Sequence, residues 1–234
     1  MTATPRRLLL LETSHQPGLV GLALGDRLLA RRQLASGRHN ARDLAPAMAA
    51  LLGELGWAAR DLDAVAVGRG PGSYTGLRVG IMSAKTMAYV TGCPLVAVDT
   101  FAILAEQTPP EARRIDIIAD AQKEAAYVQG FARDDAVWRA TDELRIREFG
   151  DWLDSRDPSA WVGGPGLLRY RDRLAGVLVP PIEYWSPGLE ALLVLATRRL
   201  DLGERDDPFS LEPLYLRASS AELQWRDRIG RTPS

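Results

Sequence analysis

Two rhythms of apolar and polar residues divide the chain. Leu8–Thr13 is a continuous apolar run of strand length, and Leu19–Leu24 and Arg27–Leu34 follow it closely. Ser14-His15-Gln16-Pro17-Gly18 and Gly25-Asp26 between them are turn chemistry, so the start predicts a meander of hairpins. The period then changes. Leu44, Met48, Leu51, Leu52 and Leu55 mark one helical face. Asn40 stands where a cap is expected, with Asp43 at the N3 position, and Pro46 inside the segment predicts a later start or a kink. A buried strand over Leu62–Val67, a helix over Gly76–Val90, a strand over Leu95–Val98 and a short helix over Thr100–Gln107 come next. Thr108-Pro109-Pro110 is a breaker and the best candidate for a boundary.

The second half repeats the order. Ile115–Ala119, Ala125–Ala132 and Val137–Ile146 read as strands, Phe149–Leu153 as a short helix and Trp161-Val162 as a brief strand. Leu167–Leu174 reads as a helix, Val177–Val179 as a strand and Gly188–Leu200 as a long apolar helix. Each half is thus three strands, helix, strand, helix, strand, helix, a pattern βββαβαβα duplicated without residue-level repetition. The expected fold class is α/β in two lobes, residues 1–108 and 109–217, followed by a polar tail over 218–234.

Between strand and helix in the first half lies Gly68-Arg69-Gly70-Pro71-Gly72-Ser73-Tyr74-Thr75-Gly76. A glycine-rich loop at a helix start gathers backbone N–H groups at the positive helix end, where a phosphate, a carboxylate or another closely approaching backbone can sit. No Lys follows Gly72 or Gly76, so this is not a Walker loop, and Gly-Ser-x-x-Gly is not the order of a nucleophile elbow. By shape the loop is equally a ligand loop or a tight turn capped by Ser73 or Thr75.

Asp63 to Ala88, DAVAVGRGPGSYTGLRVGIMSAKTMA, resembles the signature of the bacterial TsaB (YeaZ) family, the partner subunit in tRNA threonylcarbamoyladenosine synthesis. The specific part is Gly70-Pro71-Gly72-Ser73, Thr75-Gly76-Leu77-Arg78, Gly80 and the spacing to Lys85. Weaker echoes are Leu10–Ser14, His39, Cys93–Val98, Asp120-Ala121 and Pro213–Arg217. The resemblance implies two RNase H-like lobes of the actin-like ATPase (ASKHA) type. It implies a non-catalytic subunit that binds and activates a TsaD-like threonylcarbamoyltransferase acting on the adenosine beside the anticodon, with a TsaE-like ATPase as third member. It further implies a homodimer when alone, contact with tRNA only through the complex, no cofactor of the chain's own, and ATP or ADP only at a subunit boundary.

The remaining signals set limits on chemistry. Net charge is −1, so there is no global electrostatic footprint for nucleic acid. One cysteine, Cys93, excludes an intramolecular disulfide framework and agrees with a reducing compartment. Arg6–Leu11 carries four consecutive leucines before Glu12, too short for a secretory core, and no run approaches membrane length, so a cytoplasmic protein without membrane contact is expected.

In ATP-binding relatives of that superfamily two hairpin turns hold phosphates. Here they are Glu12–Gly18 and Asp120–Ala126, which makes Glu12, Ser14, Gly70, Gly72, Ser73, Thr75 and Asp120 the candidate nucleotide or phosphate residues. Both turns look poor for it. Glu12 replaces a more usual Asp, Pro17 removes a donor, and the second turn has no glycine. Only His15 and His39 are present, so no histidine pair exists to hold a metal. Two rivals remain in view: a kinase or ATPase with Glu12, Asp99 and Asp120 converging, and a hydrolase using Ser73 with His39 as base. The helix after the loop carries a small-residue ridge, Gly80, Ala84 and Ala88, with apolar residues around the rest of its circumference, including Met82, Met87 and Val90. Such a helix is buried on more than one side, by its own lobe or by a partner. With the resemblance, the candidate partner interface is Leu44, Met48, Leu51, Gly76, Leu77, Arg78, Gly80, Ile81, Ala84, Lys85 and Ala88.

Overall fold

A computed structural model describes residues 4–35, 40–135 and 137–216. His39 and the tail beyond Leu216, both singled out above, lie outside the described residues. The strands are β1 (Arg7–Glu12), β2 (Leu19–Leu24), β3 (Arg27–Gln33), β4 (Ala64–Gly68), β5 (Leu95–Val98), β6 (Arg114–Asp120), β7 (Ala125–Asp134), β8 (Val137–Ala140), β9 (Arg145–Glu148) and β10 (Trp161–Gly163). The helices are α1 (Asn40–Glu54), α2 (Tyr74–Thr91), α3 (Thr100–Glu106), α4 (Phe149–Ser155), α5 (Leu167–Tyr170) and α6 (Leu189–Asp201). Among the described residues no helix is long and apolar enough to cross a membrane.

The first sheet has the order β3-β2-β1-β4-β5, antiparallel across the hairpins and parallel from β1 to β4 and β5. Strand alternation gives it two apolar faces. Leu9, Leu11, Val65 and Val67 join a core with α1 and α2, while Leu8, Leu10, Ala64 and Ala66 join a second core with α6. α1 is continuous from Asn40 through Pro46, so the proline does not delay its start as the sequence suggested. Leu44, Met48 and Leu51, packed on the sheet, hold the segment helical.

The second sheet runs β10-β6-β7-β8, with β9 paired to the other end of β7. The strand expected over Val137–Ile146 is therefore two. Gly130 is the cause: its C=O accepts the Thr141 N–H and its N–H donates to Asp142, which turns the chain between β8 and β9. The strand expected over Val177–Val179 is absent. One ladder bond survives, Val162 N–H to Leu178 O at 2.9 Å, and Pro180-Pro181 after it offer no donors to extend the pairing.

The break at Thr108-Pro109-Pro110 falls between the sheets. The segment 109–217 is nevertheless not a closed lobe, because α6 crosses back onto the first sheet, where Leu189, Leu192 and Ala196 are buried. α3 ties the halves: Ile103 enters the first sheet's core, and Phe101, Leu104 and Ala105 enter the core under Ile115 and Ile117 of the second.

Candidate functional site

The glycine loop folds onto the chain's own first hairpin turn. A Cβ at Gly68 would lie 1.9 Å from Glu12 Oε2, at Gly72 2.3 Å from Ser14 O, at Gly76 2.0 Å from Thr13 O and at Gly80 2.0 Å from Thr13 Oγ1. Hydrogen bonds fix the contact. Ser73 N–H donates to Ser14 O at 2.7 Å, and Thr13 Oγ1 donates to Gly76 O at 2.8 Å. Ser73 is the helix cap, its Oγ accepting from Gly76 N–H. Arg69 N–H goes to Val98 O and Gly70 N–H to Thr100 Oγ1. The amides a phosphate would need are thus largely used within the chain, and the approaching group is the backbone of residues 13 and 14.

The candidate catalytic groups have separate partners. Glu12 is fully buried beneath Gly68. Desolvation pushes its carboxyl up to about 7, against the pull of Ser14, whose N–H donates to Oε1 at 2.7 Å. Glu12 Oε2, Ser14 Oγ and His15 Nδ1 are buried without hydrogen-bond partners, and burial holds the His15 imidazole below its usual range. Asp99 pairs with Arg69 at 2.5 Å. Asp120 accepts from Gln122 N–H and Tyr170 Oη and faces Arg169 at 3.4 Å. Ser73 Oγ serves the cap, and Thr75 is exposed on the first turn of α2. Among the described residues no three His, Cys, Asp or Glu side chains converge as metal ligands.

The interface reading of the small-residue ridge needs correction. Gly76, Leu77, Gly80, Ile81, Ala84 and Ala88 are all buried, and Leu44, Met48 and Leu51 of α1 are buried with them against the sheet. The ridge admits Thr13 and the first sheet, not a second molecule. The opposite side of α2 faces outward. Thr75, Arg78, Met82, Thr86, Tyr89 and Val90 form an exposed stripe at helical spacing. Met82, Tyr89 and Val90 are 63%, 67% and 73% exposed.

A strap from the chain's end runs beside this stripe. Asp206 closes the edge of β5, its N–H donating to Leu95 O and its carboxylate accepting from Ala97 N–H. Phe209, 77% exposed, meets the Tyr89 ring edge-on at 5.7 Å. Lys85 Nζ donates to Leu211 O, and Leu214 N–H donates to Arg69 O. Tyr215 stacks on Tyr74 at 4.7 Å with the Arg78 guanidinium over Tyr74. Met82 and Val90 were visible in the sequence as apolar positions on this helix. Phe209 was not, because the strap has no periodicity to mark it.

Comparison with known proteins places this geometry. Residues 33–147 match the family model described as TsaD, tRNA N6-adenosine threonylcarbamoyltransferase. The tRNA threonylcarbamoyladenosine biosynthesis protein TsaB of Haemophilus influenzae is 30% identical over 96% of this chain and 98% of its own length. The chain belongs to the TsaB family. The TsaB of Escherichia coli is 26% identical over 96% of this chain and 99% of its own. A Pseudomonas aeruginosa crystal structure, of a protein described as similar to peptidase YEAZ, superposes with a TM-score of 0.79 at 29% identity, covering 91% of this chain and all of that one. The two-lobed actin-like fold expected above is therefore that of TsaB-family structures.

Proposed function

We propose that this chain is the partner subunit of a TsaD-like threonylcarbamoyltransferase, working in tRNA threonylcarbamoyladenosine modification without a catalytic centre of its own. The observation that carries the reading is the exposed stripe of α2. Met82, Tyr89 and Val90, extended by Phe209, present large apolar side chains at one helix face, and contiguous apolar surface of this kind marks an interaction site. The match of residues 33–147 to the TsaD model supports a partner built on the same strand-and-helix frame. A TsaE-like ATPase joins the assembly, tRNA is engaged only through it, ATP or ADP belongs at the subunit boundary, and a second copy of the chain uses the stripe when the partner is absent.

The test is co-purification with the TsaD-like protein of the same organism, comparing wild type with Met82→Asp and Val90→Asp. Both positions are solvent-facing, so the fold tolerates the charge. The expected result is a stable wild-type complex lost in both variants at unchanged melting temperature. No wild-type complex, with or without nucleotide and the ATPase, overturns the function. A complex that survives both substitutions overturns the placement on α2.

A further inference from the structure

The second half contains a polar cavity remote from the glycine loop. It has a volume of about 370 Å³ and lies between β6, β7 and β9 on one side and the end of α4 on the other. Its floor is Gly130. A Cβ there would come within 2.7 Å of Thr141 Oγ1, 3.3 Å of Asp116 Oδ1 and 3.5 Å of Asp142 Oδ1, so glycine at this position lets Thr141 pack against the strand and brings two carboxylates close together at the cavity wall, Asp142 Oδ1 accepting from the Gly130 N–H. Arg156 and Asp116 border that space with side chains only 7% and 16% exposed. They approach no closer than 3.9 Å, beyond hydrogen-bond reach. Arg156 donates to Ala160 O, but its buried Nε has no hydrogen-bond partner. Burial pushes the Asp116 carboxyl up to about 6, the Arg156 guanidinium opposing the rise and Asp142 adding to it.

A desolvated guanidinium and carboxylate held apart without a connecting hydrogen bond are costly to the fold. A molecule that offers donors to the acids and acceptors to the guanidinium would remove that cost. Asp116 and Asp142 stand on one side of the requirement. Arg156 stands on the other, with Arg145 at the rim, 65% exposed and in only a loose 3.5 Å contact with Glu143. We propose that this cavity binds a small zwitterion of the α-amino-acid type, its ammonium between Asp116 and Asp142 and its carboxylate toward Arg156 and Arg145. The volume lies in the range of small-molecule pockets, and the two charge signs within one cavity select against a simple anion or cation.

The test is calorimetric titration of the full chain with each proteinogenic L-amino acid in turn, up to about 10 mM, where even a ~1 mM affinity approaches saturation. Arg145→Ala removes a rim charge at an exposed position and leaves the fold intact. Asp116→Asn keeps the side chain's shape, and its melting temperature is read alongside. The expected result is saturable binding by at least one amino acid, weakened about tenfold or more in each variant, as loss of a charge-assisted hydrogen bond requires. Loss of the same amino acid's binding when its carboxylate is amidated would confirm the orientation. Absence of saturable binding by any of them overturns the proposal and leaves the gap to ordered water. So does binding that both variants leave unchanged.

Discussion

Glu12→Gln should raise stability, and by an amount that depends on pH. The wild-type carboxyl sits at about 7 in the fold against an ordinary value of 4.5, because burial beneath Gly68 disfavours its charge. Between these pH values the folded chain keeps a proton that the unfolded chain has released. Stability therefore falls as pH rises, from its full value below about 4.5 to its lowest once the folded group has ionised above about 7. At about 1.4 kcal/mol per pH unit the loss is roughly 3 kcal/mol. Gln cannot ionise and keeps an acceptor for the Ser14 N–H. The variant should match wild type near pH 5 within about 1 kcal/mol and exceed it by roughly 3 kcal/mol at pH 8, a rise of about 6–12 °C in melting temperature for a chain of this size. Thermal melts of both proteins from pH 5 to pH 8.5 measure it, and because other groups titrate alike in both, the difference isolates Glu12. A difference that stays constant across this range would refute the buried neutral carboxyl.

Three further predictions probe the backbone. Gly76→Ala puts a Cβ 2.0 Å from Thr13 O, a clash with main chain that cannot yield cheaply, and should cost about 3 kcal/mol or more in urea denaturation. Gly53→Ala, in α1 with nothing within 4 Å of the new carbon, should instead gain roughly 0.5–1 kcal/mol. Gln122, Lys123 and Glu124 hold left-handed φ values of 63°, 52° and 58°, so Lys123→Gly should stabilise by roughly 0.5–1 kcal/mol in the same assay. An unchanged or lower midpoint would mean the turn is not strained at that residue.

The first sheet could be read from the chain because its strands are continuous apolar runs separated by turn residues. The second was harder for local reasons: Gly130 sits opposite the bend that splits one expected strand into two, and Pro180-Pro181 stop the last strand from pairing. The glycines at positions 76 and 80 announced a close approach but not its source, which is Thr13, 63 residues earlier in the chain from Gly76. Spacing along one helix carries no information about a partner so distant in sequence. Glu12 was likewise legible as a carboxylate at a strand end, where an open turn is the ordinary setting. Its burial follows from Gly68 and Gly72 closing over the turn, a tertiary event. The exposed stripe was half legible, through Met82 and Val90, since only the strap's position shows that Phe209 extends it.

The return of α6 to the first sheet has a consequence for synthesis. Leu8, Leu10, Ala64, Ala66 and Val96 form a bare apolar face until Leu189, Leu192 and Ala196 arrive to cover it. About 80 residues separate the end of the first half from that helix, which at 5–20 residues per second is roughly 4–16 s of ribosome time. During that interval the nascent first half exposes this face to solvent, and a chain terminated before residue 189 would keep it exposed.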